Sequence, residues 1–192
     1  PAMFLATWYS IADCWLPILA SGAVVFILSF MMWMVLPHHR SDWGAMPDED
    51  GTMAFLGDIK SGQYTFPHCG SPEMMKDPAW VKKAEDGPAG MLVIRPRGPM
   101  SMGKSMLTSF GFNVVISVLV AYVLTVSLPD AGAGMRVFRV ASTCAFLGYS
   151  GALGWNAIWF SHSWTSTLKS VFDGLIYGLA TGAIFMWTGP WS

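Results

Sequence analysis

LPILASGAVVFILSFMMWMVL, residues 16–36, carries no charge and is followed at once by Pro37, His38, His39 and Arg40. As a helix, an apolar run of about 20 residues crosses roughly 30 Å of hydrocarbon. Proline offers no amide hydrogen and biases the residue before it away from helix, so the span is expected to end at a membrane surface. Upstream, residues 2–15 are apolar but hold Trp8, Tyr9, Asp13 and Trp15, and read as an interfacial lead-in. The first basic residue is Arg40. A secretory signal needs a basic segment before its apolar run, so no cleavage is expected and the span stays in the protein.

The whole chain has the same character. Of its 192 residues 53% are apolar and 12% are charged, with a mean hydropathy of +0.45. An ordinary soluble domain has about 25% charged residues. Eleven basic residues against 12 acidic ones leave no field to attract a polyanion, so no nucleic acid is expected. Three separated cysteines (Cys14, Cys69, Cys144) give no disulfide framework.

Three further spans are expected, over residues 105–128, 135–160 and 168–187. Pro129 and Asp130 stop the first of these; Gly189 and Pro190 follow the last. Arg136 and Arg139 open the middle one, where long side chains reach the interface. Short links make the three helices antiparallel neighbours. Residues 37–104 hold eight of the 11 basic and nine of the 12 acidic residues. A polar segment of that length should carry structure of its own. Asp48, Glu49 and Asp50 favour a helix start leading into residues 52–59; Asp77 followed by Pro78 caps a helix over 78–85. Residues 63–67 and 91–95 read as short strands.

The expected fold is therefore an all-α integral membrane protein of about four transmembrane helices. A small mixed α/β extramembrane insertion separates the first and second. Its sections are a lead-in and first helix (1–36), the insertion (37–104) and a three-helix transmembrane hairpin bundle (105–192). Arg40, Arg95, Arg97, Lys104 and Lys169 flank one side and only Arg136 and Arg139 the other. The positive-inside rule then puts 37–104 in the cytoplasm and both termini outside, in a bacterial inner membrane. Trp8, Trp15, Trp187 and Trp191 form one interfacial belt, and Trp33, Trp43, Trp159 and Trp164 the other.

Small residues recur on two spans: Gly148, Gly151 and Gly154, and Gly174, Gly178 and Gly182. Such stripes let helix backbones approach closely in lipid. The two helices are expected to pack on each other there. Asp173 is the one acid inside a span, about one turn deep, with Asn156 and Asn113 as other intramembrane polar groups. They offer either a polar path or, for Asp173, a headgroup-level pair with Lys169 one turn earlier.

The histidines, His38, His39, His68 and His162, and Cys69 all fall on the cytoplasmic side. They are the candidate metal ligands. Adjacent histidines on an extended or turn segment should point apart, and no zinc spacing is present, so no metal is expected. No span carries a mid-membrane histidine for haem. No cofactor is expected; contact with a quinone, lipid or pigment of a partner subunit is left open. Gly98, Gly103, Lys104 and Ser105 have P-loop spacing. However, Pro99 removes a cradling amide and no βαβ unit surrounds them.

With no catalytic motif, the chain is expected to be a non-catalytic accessory subunit of a larger membrane complex of respiratory or photosynthetic type. Its partners would be other integral membrane subunits and lipids. The alternative is a small oligomeric carrier or ion or proton channel using Asn113, Asn156 and Asp173.

Overall fold

The computed structural model describes residues 9–128 and 132–191. Trp8 of the lead-in and the stop at Pro129 and Asp130 lie outside them. The elements run α1 (Trp15–Phe30), α2 (Glu49–Phe55), β1 (Gly62–Phe66), α3 (Pro78–Asp86), β2 (Gly90–Ile94), α4 (Met102–Ser127), α5 (Gly134–Ser150), α6 (Leu153–Phe160) and α7 (Trp164–Thr188). The chain is mostly helical and divides into two compact units, 1–43 with 101–192, and 44–100.

In the first unit a 3-10 turn, Ile11–Cys14, leads into α1. The Asp13 carboxylate accepts from the Ser10 amide at 2.8 Å and from its hydroxyl at 2.9 Å. α1 continues through one π turn, Met31–Val35, closed by the Leu36 N–H on the Met31 carbonyl. It then stops before Pro37, for want of an amide hydrogen there. Residues Pro37–Asp42 form a 3-10 turn.

Three helical stretches are long and apolar enough to cross a membrane: Ile11–Val35, Met102–Ser127 and Trp164–Thr188. The stretch expected as a single third span is two helices, α5 and α6, interrupted at Gly151 and Ala152. The backbone is tight at the break. A Cβ on Gly151 would stand 2.6 Å from the Leu147 carbonyl oxygen, so glycine is what the turn accepts.

α1 packs on α4 and α7, α4 packs on α5, and α5 packs on α7, which closes a four-membered ring. At one end of the ring the Trp191 indole donates to the Leu128 carbonyl at 2.8 Å. The Gly132 N–H meets the Trp191 carbonyl there, and the Tyr9 ring lies edge-on to Trp191. The start of α1, the ends of α4 and α7 and the start of α5 thus meet at this end. Trp191 is 1% exposed, so it is a core residue rather than a member of an interfacial belt; Trp187 is exposed.

The second unit is small. β1 and β2 pair antiparallel in a two-stranded sheet, with Gly62 opposite Ile94 and Phe66 opposite Gly90. Asp48 caps α2 through the Gly51 amide and Asp77 caps α3 through the Ala79 amide, both at 2.9 Å. Proline at the first position of α3 leaves no orphan amide there.

Candidate functional site

The 3-10 turn after Pro37 does something its sequence did not announce. It turns both imidazoles toward α7, where they converge on one carboxylate. His38 Nε2 lies 3.0 Å from Asp173 Oδ1, and His39 Nε2 lies 2.7 Å from Asp173 Oδ2. The expectation that adjacent histidines point apart is therefore wrong here. It assumed extended backbone, whereas the tight 3-10 turn brings the two ring centroids within 4.1 Å.

The expected Lys169–Asp173 pair is also replaced. Lys169 reaches Asp42 Oδ1 at 2.6 Å and Ser41 Oγ at 2.9 Å. Asp42 uses its other oxygen on His39 Nδ1 at 2.6 Å. A chain Lys169–Asp42–His39–Asp173–His38 results, running between the turn and α7. Trp33, projecting from the π turn, lies flat on His39 with centroids 3.8 Å apart and planes 5° from parallel. α7 begins at Trp164, earlier than expected, so Asp173 sits about 14 Å along its helix and not one turn deep. It is 2% exposed.

Both ring nitrogens of His39 face carboxylates. A neutral imidazole donates once; only the imidazolium donates twice. Burial alone would pull the His39 pKa down, but the bonds to Asp173 and Asp42 outweigh it and hold it above the ordinary histidine range. The Lys169 ammonium and then His39 hold the Asp42 carboxyl down to about 2. With His39 protonated, two cations balance two anions and the buried cluster is neutral, which is what a low-dielectric site demands.

The other candidate residues are scattered. Asn113 is buried on α4 and its amide nitrogen finds no partner among the described residues. Asn156 lies on α6, where its carbonyl accepts from the His162 amide. His68 faces the Thr65 hydroxyl at 3.5 Å, and the Cys69 thiol donates to the Ser71 carbonyl. Among the described residues, His38, His39 and Asp173 are the one trio of metal-ligand type whose donor atoms converge, all within 4.8 Å. His68, Cys69 and His162 are not in it. The P-loop-like stretch is not built as one. α4 starts at Met102 with the Ser101 hydroxyl accepting from the Lys104 amide, and β2 belongs to a two-stranded antiparallel sheet.

The glycines divide by position. A Cβ on Gly178 would stand 2.9 Å from the Ser142 carbonyl oxygen and 3.1 Å from Phe146 Cβ. One on Gly182 would stand 2.8 Å from the Phe138 carbonyl, and one on Gly174 would press on Ser150. All three face α5. Gly148 instead faces Ile116 of α4 at 3.0 Å, and Gly154 has open space.

Sequence reading missed Trp33 and Asp42. The available signal was the spacing His39-x-x-Asp42 directly after a proline-terminated span, together with Lys169-x-x-x-Asp173 on one helix face. No family model matches the chain, and no curated protein or solved structure matches it.

Proposed function

We propose that the chain is a four-span integral membrane protein that serves as a non-catalytic subunit of a larger membrane assembly. The fourth crossing would be α5 with α6. α4 ends and α5 starts at the Trp191 end of the ring, while α7 starts at its other end, so the intervening chain travels the same distance as its neighbours. Residues 37–104 would be cytoplasmic and both termini outside, in a bacterial inner membrane. Labelling cysteines placed at Ser71 and Ser192, in a chain without its three native cysteines, tests this: only the Ser192 position should react from outside.

The observation that carries the subunit reading is the contrast between a closed interior and an open outer face. α5 and α7 meet backbone to backbone along the glycines, and both Asp173 oxygens are taken by His38 and His39. Outside, a cleft of about 330 Å³ opens between α1 and α4, lined by Phe26, Phe30, Trp33, Met34, Met102 and Met106. Flexible methionine side chains suit a partner helix or a lipid chain. The test is gentle solubilisation followed by native electrophoresis. Co-migration with different polypeptides supports a subunit role; a lone chain or homodimer overturns it.

One observation favours a carrier or proton path instead. The hydroxyls of Tyr149, Ser150 and Tyr177 and the Asn113 amide are buried without partners among the described residues. Such groups ordinarily hold water. Proton flux in proteoliposomes that disappears in Asp173→Asn, with unchanged migration, would select that reading.

A further inference from the structure

The convergence of two imidazoles on one buried carboxylate exceeds what an ion pair needs. Asp173 could balance His39 alone. Two imidazole nitrogens and a carboxylate gathered within 4.8 Å, with the ring centroids 4.1 Å apart, make a ligand set for a cation. We propose that His38, His39 and Asp173 bind one divalent first-row transition ion, through Nε2 of each histidine and a carboxylate oxygen.

Four features carry this. First, the donor atoms are nearly placed. A tetrahedral ion about 2.0–2.1 Å from each ligand holds the ligand atoms about 3.4 Å apart. The three donor atoms, one per residue, lie within 4.8 Å of one another, and the histidine nitrogens lie 3.0 Å and 2.7 Å from the two different Asp173 oxygens, so shifts of about 1 Å bring them to that spacing. Second, His39 already has the outer support that metal-bound histidines show. Its Nδ1–H donates to Asp42, so Nε2 is the nitrogen that would turn its lone pair to an ion once the Nε2 proton is displaced. Third, that support is itself anchored, by Lys169 on Asp42 and by the face of Trp33 on the imidazole. Fourth, the ligands come from the turn and from α7, so an ion would tie the end of α1 to α7.

The donor set selects the metal class. Magnesium and calcium prefer oxygen-only sites, and cuprous copper prefers sulfur. Two imidazoles and one carboxylate suit zinc, ferrous iron and their neighbours, with at least one coordination position open. His38 is the most exposed of the three, its side chain 27% accessible, which puts the open position on its side. Exchange is balanced: the ion displaces one proton from His39 Nε2, and that proton leaves to solvent. The site then gains one net positive charge, so the open position favours water or an anionic group.

The test uses the full chain in nanodiscs, stripped with a chelator and titrated with zinc, with cobalt as a spectroscopic substitute. Expected are one zinc ion per chain and a visible cobalt band typical of a four- or five-coordinate site. His39→Gln and His38→Gln should each weaken zinc at least tenfold. Asp42→Asn, which removes only the outer support, should weaken it by about 10–100-fold. His162→Gln should bind as the wild type does. His38 is partly exposed and contributes one bond, so His38→Gln keeps the fold and native migration if the others do not. The proposal is overturned if the stripped wild type binds no zinc, or if zinc binding is unchanged in both His38→Gln and His39→Gln.

Discussion

α7 is held on two sides by opposite means. Along α5 it is held by the absence of side chains: Gly174, Gly178 and Gly182 let the backbones touch. Against the turn after α1 it is held by charge, through Lys169 on Asp42 and Asp173 on two histidines. The first contact tolerates no added volume and is indifferent to protonation. The second tolerates modest changes of shape but depends on which groups are charged. Where apolar packing against lipid gives helices little reason to prefer each other, close backbone contact and satisfied polar groups are what remain.

The largest effect is expected in the glycine seam. Gly178→Leu must push α5 away from the Ser142 carbonyl and Phe146, and overpacking of this kind costs about 1–3 kcal/mol or more. The variant should fail to migrate as the wild type does on a native gel. Leu179→Ala, at an outward position, should migrate normally. Normal migration of Gly178→Leu would mean that the seam is not where α7 derives its hold.

Next comes the charged side. In Asp173→Asn the amide oxygen accepts from one ring, but its NH2 faces the other ring's N–H. His39 can respond by losing its proton, which limits the damage to about 2 kcal/mol, the scale of hydrogen bonds to a charged group. Thermal unfolding in a fixed detergent should show a clear drop in midpoint with retained migration. Lys169→Met should drop it less. Its side chain is 22% accessible and Asp42 keeps His39 without it. If Lys169→Met proves the more damaging, Asp42 rather than Asp173 is the centre of the cluster.

The two sides also differ in how far the sequence disclosed them. The glycine stripe on α7 was legible because a four-residue repeat projects onto one helix face whatever the tertiary structure. The end of α1 was legible because Pro37 forbids the next helical bond. The caps of α2 and α3 and the two short strands were legible for similarly local reasons. The charged junction was not. It depends on a π turn, a 3-10 turn and an α7 starting at Trp164, and it joins residues about 130 positions apart. None of these follows from periodicity. The break at Gly151 and the burial of Trp191 were hidden likewise, since glycine inside a span and Trp at its end each have a commoner reading.

The smallest expected effect separates a glycine of each stripe, two positions that the sequence treats alike. Gly154 lies within α6, and a Cβ there meets nothing within 4 Å. Gly178 lies within α7 against the Ser142 carbonyl. A methyl group costs Gly154 no contact, and it removes the conformational freedom that makes glycine a poor helix residue. Gly154→Ala should therefore be neutral or stabilise the fold, by up to about 1 kcal/mol. Gly178→Ala gains the same helical preference, but its Cβ would stand 2.9 Å from a carbonyl oxygen, so α5 must yield. Its unfolding midpoint should fall. The two alanine variants, measured side by side in one detergent, should shift in opposite directions. A drop of similar size in both would mean that α6 also packs backbone to backbone, against a surface outside this chain, since no described residue stands there to receive the methyl group.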